Sequence, residues 1–125
     1  MEKVKYKILL AEDDKFLSIA LGDKLEREGF IAIKAPNGLE ALGLIRSEKP
    51  DLILLDLIMP QRTGFQVLEE LKKDAELAKI PVVVLSNLGQ EPDREKAKAL
   101  GAVDYLVKSD VQMGEVVEKL KTYLK

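Results

Sequence analysis

The chain contains no cysteine and no histidine. Lack of cysteine excludes a disulfide framework, a thiol nucleophile and a thiolate metal site. Lack of histidine removes the imidazole base of a Ser-His or Cys-His pair and any Cys/His zinc centre. A metal bound here must be a hard cation held by oxygen: magnesium, calcium or manganese. The absence of cysteine also accords with a cytoplasmic location, which is the expectation. Long apolar runs are missing too. The longest uncharged apolar stretch, Ile80 to Leu85, is far below the roughly 20 residues that span a bilayer. Met1 to Lys5 lead into a short apolar run, not a signal-peptide core, so no membrane association is expected. A basic excess is absent: 20 Lys and Arg against 22 Asp and Glu give a net charge of −2, which argues against a nucleic-acid partner.

What is present is a chain of 125 residues, 46% hydrophobic and 34% charged. One domain over residues 1–125 is expected, burying roughly two thirds of its unfolded surface. The charged fraction exceeds the usual value of about 25% while the apolar fraction is ordinary, which argues against disorder. Short apolar runs alternate with longer amphipathic stretches. The runs Tyr6 to Ala11, Ile31 to Ala35, Leu52 to Leu55, Val82 to Leu85 and Tyr105 to Val107 have strand length and are bounded by Gly, Pro, Asp or Lys. Between them come helical stripes: Leu17, Leu21 and Leu25 with Phe16 and Ala20 alongside; Ala41, Leu42 and Ile45; Phe65, Leu68 and Leu71. The last stripe is Met113, Val116, Val117, Leu120 and Leu124, with Lys119 and Lys121 facing away, and a weaker helix from about Asp93 to Leu100 precedes it.

Asn37 with Glu40 and Thr63 with Gln66 have capping-box spacing, and Gly29 and Gly101 stand where helix C-caps are wanted. Alternating β and α units predict a doubly wound α/β fold, a five-stranded parallel sheet with helices on both faces. Leu52–Leu55 and Val82–Leu85 are apolar throughout, as strands covered on both faces must be. The runs interrupted by Lys34 and Asp104 suit the edges, which gives the strand order 2-1-3-4-5.

Ligands of open α/β sheets bind beyond the carboxyl ends of the strands, at the switch point of the strand order. Glu12, Asp13 and Asp14 follow the first strand, Asp56 the third, Ser86 and Asn87 the fourth, and Lys108 and Ser109 the fifth. Taken singly, most have ordinary readings. Asp14 reads as a helix N-cap, Glu12 and Asp13 as a solvated pair, Ser86 as an ordinary polar residue and Tyr105 as aromatic cover. Asp56 is different, because an acid ending a wholly apolar strand is costly unless it is used. Collected at one end of one sheet, the acids would converge, and with no histidine to share a proton a divalent cation relieves them best. Magnesium suits two or three carboxylates completed by water and phosphate oxygens. With Lys108 as a mobile cation and Ser86 as a hydroxyl donor, the set is suited to a phosphoryl group, and Asp56 could itself be the nucleophile.

The segments Lys7-Ile8-Leu9-Leu10-Ala11-Glu12-Asp13-Asp14, Ala35-Pro36-Asn37-Gly38-Leu39-Glu40-Ala41-Leu42, Asp56-Leu57-Ile58-Met59-Pro60 with Gly64, and Gly101-Ala102 with Asp104-Tyr105-Leu106-Val107-Lys108 resemble a response-regulator receiver domain. The resemblance covers essentially the whole chain. It implies a flavodoxin-like fold in which Asp56 accepts phosphate from a sensor histidine kinase or phosphotransfer protein. It implies magnesium held by Asp13 and Asp56, by Glu12 through water and by the backbone carbonyl of Ile58. Lys108 would pair with the acyl phosphate beside Ser86 and Asn87. Ser86 would move toward it and draw Tyr105 inward, altering the face of the fourth helix, fifth strand and fifth helix, where a downstream protein would dock. A monomer, or a weak phosphorylation-dependent dimer, is expected.

Three departures from the family pattern stand out. Ser109 follows Lys108 where the family usually has a proline joined through a cis bond. A non-proline cis bond costs about 2.5–4 kcal/mol, so the bond is either trans or stores that energy. Asn87 replaces a small residue, and Ile58 and Leu88 are both apolar at positions flanking the site, which suggests a long-lived phosphorylated form. Two other readings compete: a pseudo-receiver that serves protein contacts without phosphorylation, and a small magnesium-dependent aspartyl-phosphate phosphatase. The phosphatase needs a second aspartate two residues beyond the nucleophile, where Ile58 stands. A flavin-binding protein of the same strand order would need a Ser/Thr- and Gly-rich phosphate loop where Glu12-Asp13-Asp14 stand.

Overall fold

A computed structural model describes residues 5–124; Met1–Val4 lie outside the described residues, and with them most of the segment read as lacking a signal-peptide core. The strands are β1 (Lys7–Ala11), β2 (Ile31–Ala35), β3 (Leu52–Leu55), β4 (Val82–Ser86) and β5 (Asp104–Val107). The helices are α1 (Lys15–Arg27), α2 (Gly38–Glu48), α3 (Gly64–Lys72), α4 (Glu91–Ala99) and α5 (Met113–Lys121), with short 3-10 turns at Leu77–Lys79 and Lys108–Asp110. All strand pairs are parallel and the order is β2-β1-β3-β4-β5, as expected from the sequence.

Alternation along the strands divides the core into two layers. Leu9, Ile53, Leu55 and Val84 pack with α2, α3 and the single buried residue of α4, Ala97. Ile8, Leu10, Leu52, Leu54, Val83 and Leu85 pack against α1 and α5. Every residue of β3 is fully buried, so each of its four side chains contributes about 1.5–3 kcal/mol of burial. A strand of this kind tolerates a charge only past its end, which is where Asp56 stands.

The helix starts follow their capping residues. Asp14 Oδ1 accepts the Leu17 N–H at 3.1 Å, Asn37 Oδ1 accepts that of Glu40 at 2.8 Å, and Thr63 with Gln66 closes a reciprocal capping box. Gly29 and Gly101 sit at φ +98° and +109°, the left-handed conformation that ends α1 and α4.

Several boundaries and two helix faces differ from expectation. Tyr6 precedes β1, whereas Ser86 and Asp104 belong to their strands. Helix α4 begins at Glu91, not near Asp93, because Pro92 falls in the first turn, where a missing N–H costs nothing. Phe16 does not flank the core stripe of α1; it is 85% exposed, while Ser18, Leu21, Gly22 and Leu25 face inward. At about 100° per residue, Phe16 lies nearly opposite Ser18. Met113 likewise turns outward at the start of α5. The Lys108–Ser109 bond is trans, since the described residues contain no cis peptide.

Candidate functional site

The two central strands extend by one hydrogen bond into the acids. The Glu12 N–H donates to the Ala35 carbonyl and the Asp56 N–H to the Ala11 carbonyl, each at 3.0 Å. Glu12 and Asp56 are thereby fixed side by side at the switch point, both buried. Each carboxylate is used in the same way. Glu12 Oε2 accepts the Asp14 N–H at 3.0 Å, and Asp56 Oδ1 accepts the Ile58 N–H at 3.2 Å. Their remaining oxygens share the ammonium of Lys108, which stands 2.9 Å from both Glu12 Oε1 and Asp56 Oδ2. Lys108 reaches them from the 3-10 turn directly after β5, with its peptide bond to Ser109 trans.

Glu12, Asp13, Asp14, Asp56, Ile58, Asn87 and Lys108 line one crevice of about 230 Å³. Oxygens of Glu12, Asp13 and Asp56 lie within 4.8 Å of one another, a spacing and donor set that fit a hard divalent cation. Burial holds the Glu12 carboxyl above its ordinary range, and the negative charge of Asp56 adds to this against the pull of Lys108. Burial also opposes the charge on Lys108, but its hydrogen bonds to Glu12 and Asp56 outweigh that and hold its pKa above the ordinary value.

Ser86 and Tyr105 are buried and are not among the residues that line the crevice. Ser86 is fully buried, and its hydroxyl accepts the Leu88 N–H at 3.4 Å. Tyr105 is also buried and faces inward, with its hydroxyl donating to the Leu88 carbonyl. The Arg94 guanidinium stands 5.4 Å from the centre of the Tyr105 ring and also donates to the Gly89 carbonyl at 3.4 Å. Desolvation, with the charge of Asp93 adding to it, holds the Tyr105 phenol above its ordinary range. Of the two apolar flanking residues only Ile58 borders the crevice, where it is 54% exposed; Leu88 packs half-buried against the core.

Sequence reasoning missed the sharing of Lys108 with Glu12, the Leu88 carbonyl as acceptor for Tyr105, and Arg94. None of these leaves a local signal, because each depends on how separate segments are placed against one another.

An open parallel sheet with a lysine-bridged acidic crevice at its switch point defines a class of Asp-centred, phosphate-handling α/β domains. Comparison with known proteins narrows the class. A family model for the response regulator receiver domain matches residues 8–121. The protein PilH of Pseudomonas aeruginosa is 41% identical over 102 residues, covering 82% of this chain and 84% of PilH. The polar-differentiation response regulator DivK of Brucella anthropi is 34% identical over 117 residues, 94% of each chain. A probable transcriptional regulator of Porphyra purpurea, ycf29, is 43% identical, and the chain spans about half its length (50%). Among solved structures, a Francisella response regulator receiver domain superposes with a TM-score of 0.88 at 30% identity, over 95% of this chain and 96% of that one. The chain belongs to the response-regulator receiver family. Receiver domains are signalling switches of two-component systems, not enzymes in the usual sense, and they generally bind magnesium at an acidic cluster.

Proposed function

We propose that this domain is a phosphoacceptor switch in which Asp56 takes a phosphoryl group from a histidine kinase or phosphotransfer protein. The observation that carries this reading is the placement of Asp56. It is a buried carboxylate just past the end of β3 that lines the acidic crevice, and among the described residues its charged hydrogen-bond partner is Lys108. In the transfer, an Asp56 oxygen forms the new O–P bond as the P–N bond of the donor breaks, its electron pair returning to the imidazole. Lys108 then exchanges its carboxylate contacts for a phosphoryl oxygen, which leaves the negative charge compensated. Asp13 and Asp56, the Ile58 carbonyl, and Glu12 through water would hold magnesium, which supplies further positive charge against the phosphoryl oxygens. Asn87 stands at the crevice wall as a further amide donor. With no histidine in these 125 residues, the phosphohistidine lies outside this domain. Phe16 and Ile19, exposed in the first turns of α1 directly after the acidic loop, offer that donor an apolar contact beside the crevice.

Output runs from Ser86 through Tyr105 to the α4-β5-α5 face. Support comes from the Leu88 carbonyl, which joins the Tyr105 hydroxyl to the loop that begins at Ser86. On the same face, Leu106, Val111, Glu115, Glu118 and Lys119 border a groove of about 490 Å³. The domain is read as cytoplasmic, in keeping with described helices none of which is long and apolar enough to cross a membrane. The burial of Ser86 away from the crevice wall favours a second reading, the pseudo-receiver. One experiment separates them: incubation with magnesium and acetyl phosphate, followed by intact mass. Gain of one phosphoryl group by wild type and none by Asp56→Asn is the expected result. No gain by either points to the pseudo-receiver, and sustained release of phosphate points to the phosphatase.

A further inference from the structure

The loop that carries Asp56 and Ile58 is seated on the first turn of α2, and the seat exists only because residue 38 has no side chain. A Cβ built on Gly38 would fall 2.1 Å from the carbonyl oxygen of Arg62 and 2.6 Å from the Arg62 Cβ. The Gly38 N–H points to the Pro60 carbonyl at 3.5 Å. The other end of the loop is clamped in the same way: a Cβ on Gly64 would fall 2.3 Å from the Asp56 carbonyl oxygen, and the Gly64 N–H donates to Leu57 at 3.0 Å. Between the clamps, Gln61 sits at φ +72° and the Arg62 N–H bonds the Pro60 carbonyl at 2.8 Å. This is a γ-turn of the strained hand, which persists only where its surroundings impose it.

We infer that Gly38 is a positioning residue for the acidic crevice, acting through the backbone of residues 58–62 on the Ile58 carbonyl. The inference rests on the magnesium-dependent phosphoacceptor reading above. A methyl group at residue 38 must push the Arg62 carbonyl back by about 1 Å before the contact becomes tolerable. Helix α2 cannot yield instead, because Ala41, Leu42 and Ile45 hold it in the core at 0–3% exposure. Leu57 and Gly64 cannot yield either, because Leu57 is buried and Gly64 lies flush on the Asp56 and Leu57 backbone. The shift therefore falls on residues 60–62, where Pro60 and Gln61 are exposed, and reaches the exposed Ile58 through the backbone of Met59, whose side chain stays in the core at 6% exposure. Magnesium requires near-ideal octahedral geometry at about 2.0–2.1 Å, so a displaced carbonyl costs affinity while the three carboxylates stay in place.

The test is calorimetric titration with magnesium chloride, with thermal melts in EDTA alongside, on wild type, Gly38→Ala and Gly43→Ala. Gly43 lies on the same helix facing open space, so Gly43→Ala reports on α2 without touching the loop. The expected result is magnesium binding about ten-fold weaker in Gly38→Ala, the scale of losses seen when a supporting residue outside the ligand set is changed, with Gly43→Ala binding as wild type does. A loss of less than three-fold in a folded Gly38→Ala overturns the inference, whatever its melting temperature. Should Gly38→Ala not fold, the double variant Gly38→Ala/Arg62→Gly removes the second clash and frees the turn. The same thresholds, measured against Arg62→Gly alone, then decide. A wild type that binds no magnesium refutes the functional reading and this inference with it, whereas a wild type that binds alongside an unimpaired Gly38→Ala refutes only the inference.

Discussion

Lys108 is the counter-charge on which the two buried carboxylates of the crevice depend, and Lys108→Met isolates that dependence. The substitution keeps the length of the stem and removes the ammonium. Glu12 and Asp56, with side chains 2% and 5% exposed and each 2.9 Å from the ammonium, would be left as neighbouring buried carboxylates without a cation. Removing one partner of a buried pair costs about 3–5 kcal/mol. The lower end, about 3 kcal/mol, applies here because the crevice is open to water and Lys108 is itself 17% exposed. With an unfolding entropy of about 2.1 cal/mol/K per residue, that corresponds to a drop in Tm of about 11 °C.

The assay is thermal unfolding in EDTA and again in saturating magnesium. An ion at a hundred times its Kd returns about 2.7 kcal/mol. In the variant it displaces no ammonium, so the gain on adding magnesium is larger than in wild type. The pH dependence has a definite sign. The Lys108 pKa is raised above 10.5, so its contribution is fully present below that value and is lost only as pH rises through the higher folded value. The Glu12 carboxyl is held above 4.5 by burial and rises further without Lys108. Its ionisation therefore costs stability above that unfolded value, and acidification toward pH 4.5 narrows the gap between the two proteins. A variant that melts within about 3 °C of wild type in EDTA, or that gains no more from magnesium than wild type does, refutes the reasoning.

Two further outcomes follow from side chains outside the acid set. Ile58 borders the crevice half-exposed while Leu88 packs on the core. Ile58→Asn is therefore expected to shorten the lifetime of the phosphorylated form by about ten-fold, roughly 1.4 kcal/mol in the barrier, and Leu88→Asn to shorten it less; phosphoryl loss followed by intact mass checks both. At the far end of the sheet, Lys121 bridges the ends of α5 and α1 through Glu28 at 3.0 Å. Hydrogen bonds from Lys121 and then Lys24 hold the Glu28 carboxyl below 4.5, so its contribution is present above that value and lost as pH falls through the lowered one. The melting difference between wild type and Lys121→Ala should accordingly shrink below pH 4.5 and at high salt; a difference unchanged by either would place the effect in packing.

Much of this architecture was legible locally. Strands such as Leu52–Leu55 and Val82–Leu85 announce themselves as buried on both faces, and Lys34 and Asp104 mark the edges, so the strand order followed from which runs tolerate charge. The capping residues Asp14, Asn37 and Thr63 act within three residues of themselves and were equally readable. The face of Phe16 was misjudged because a stripe of leucines four apart leaves the width of the buried face undefined; the packing of α1 on β2 and α5 fixes it.

The sequence by itself determined the alternation of strands and helices, the order of the sheet and the identity of the acids at its carboxyl end, because periodicity and burial cost act over a few residues. Tertiary structure alone decided that one ammonium serves both Glu12 and Asp56, that Arg94 lies over Tyr105, and that Gly38 forms the seat for the loop after Asp56. Each of those is a contact of a few ångströms between segments far apart in the chain. Its geometry is set by how two elements pack on a shared sheet, which neither element's own residues specify.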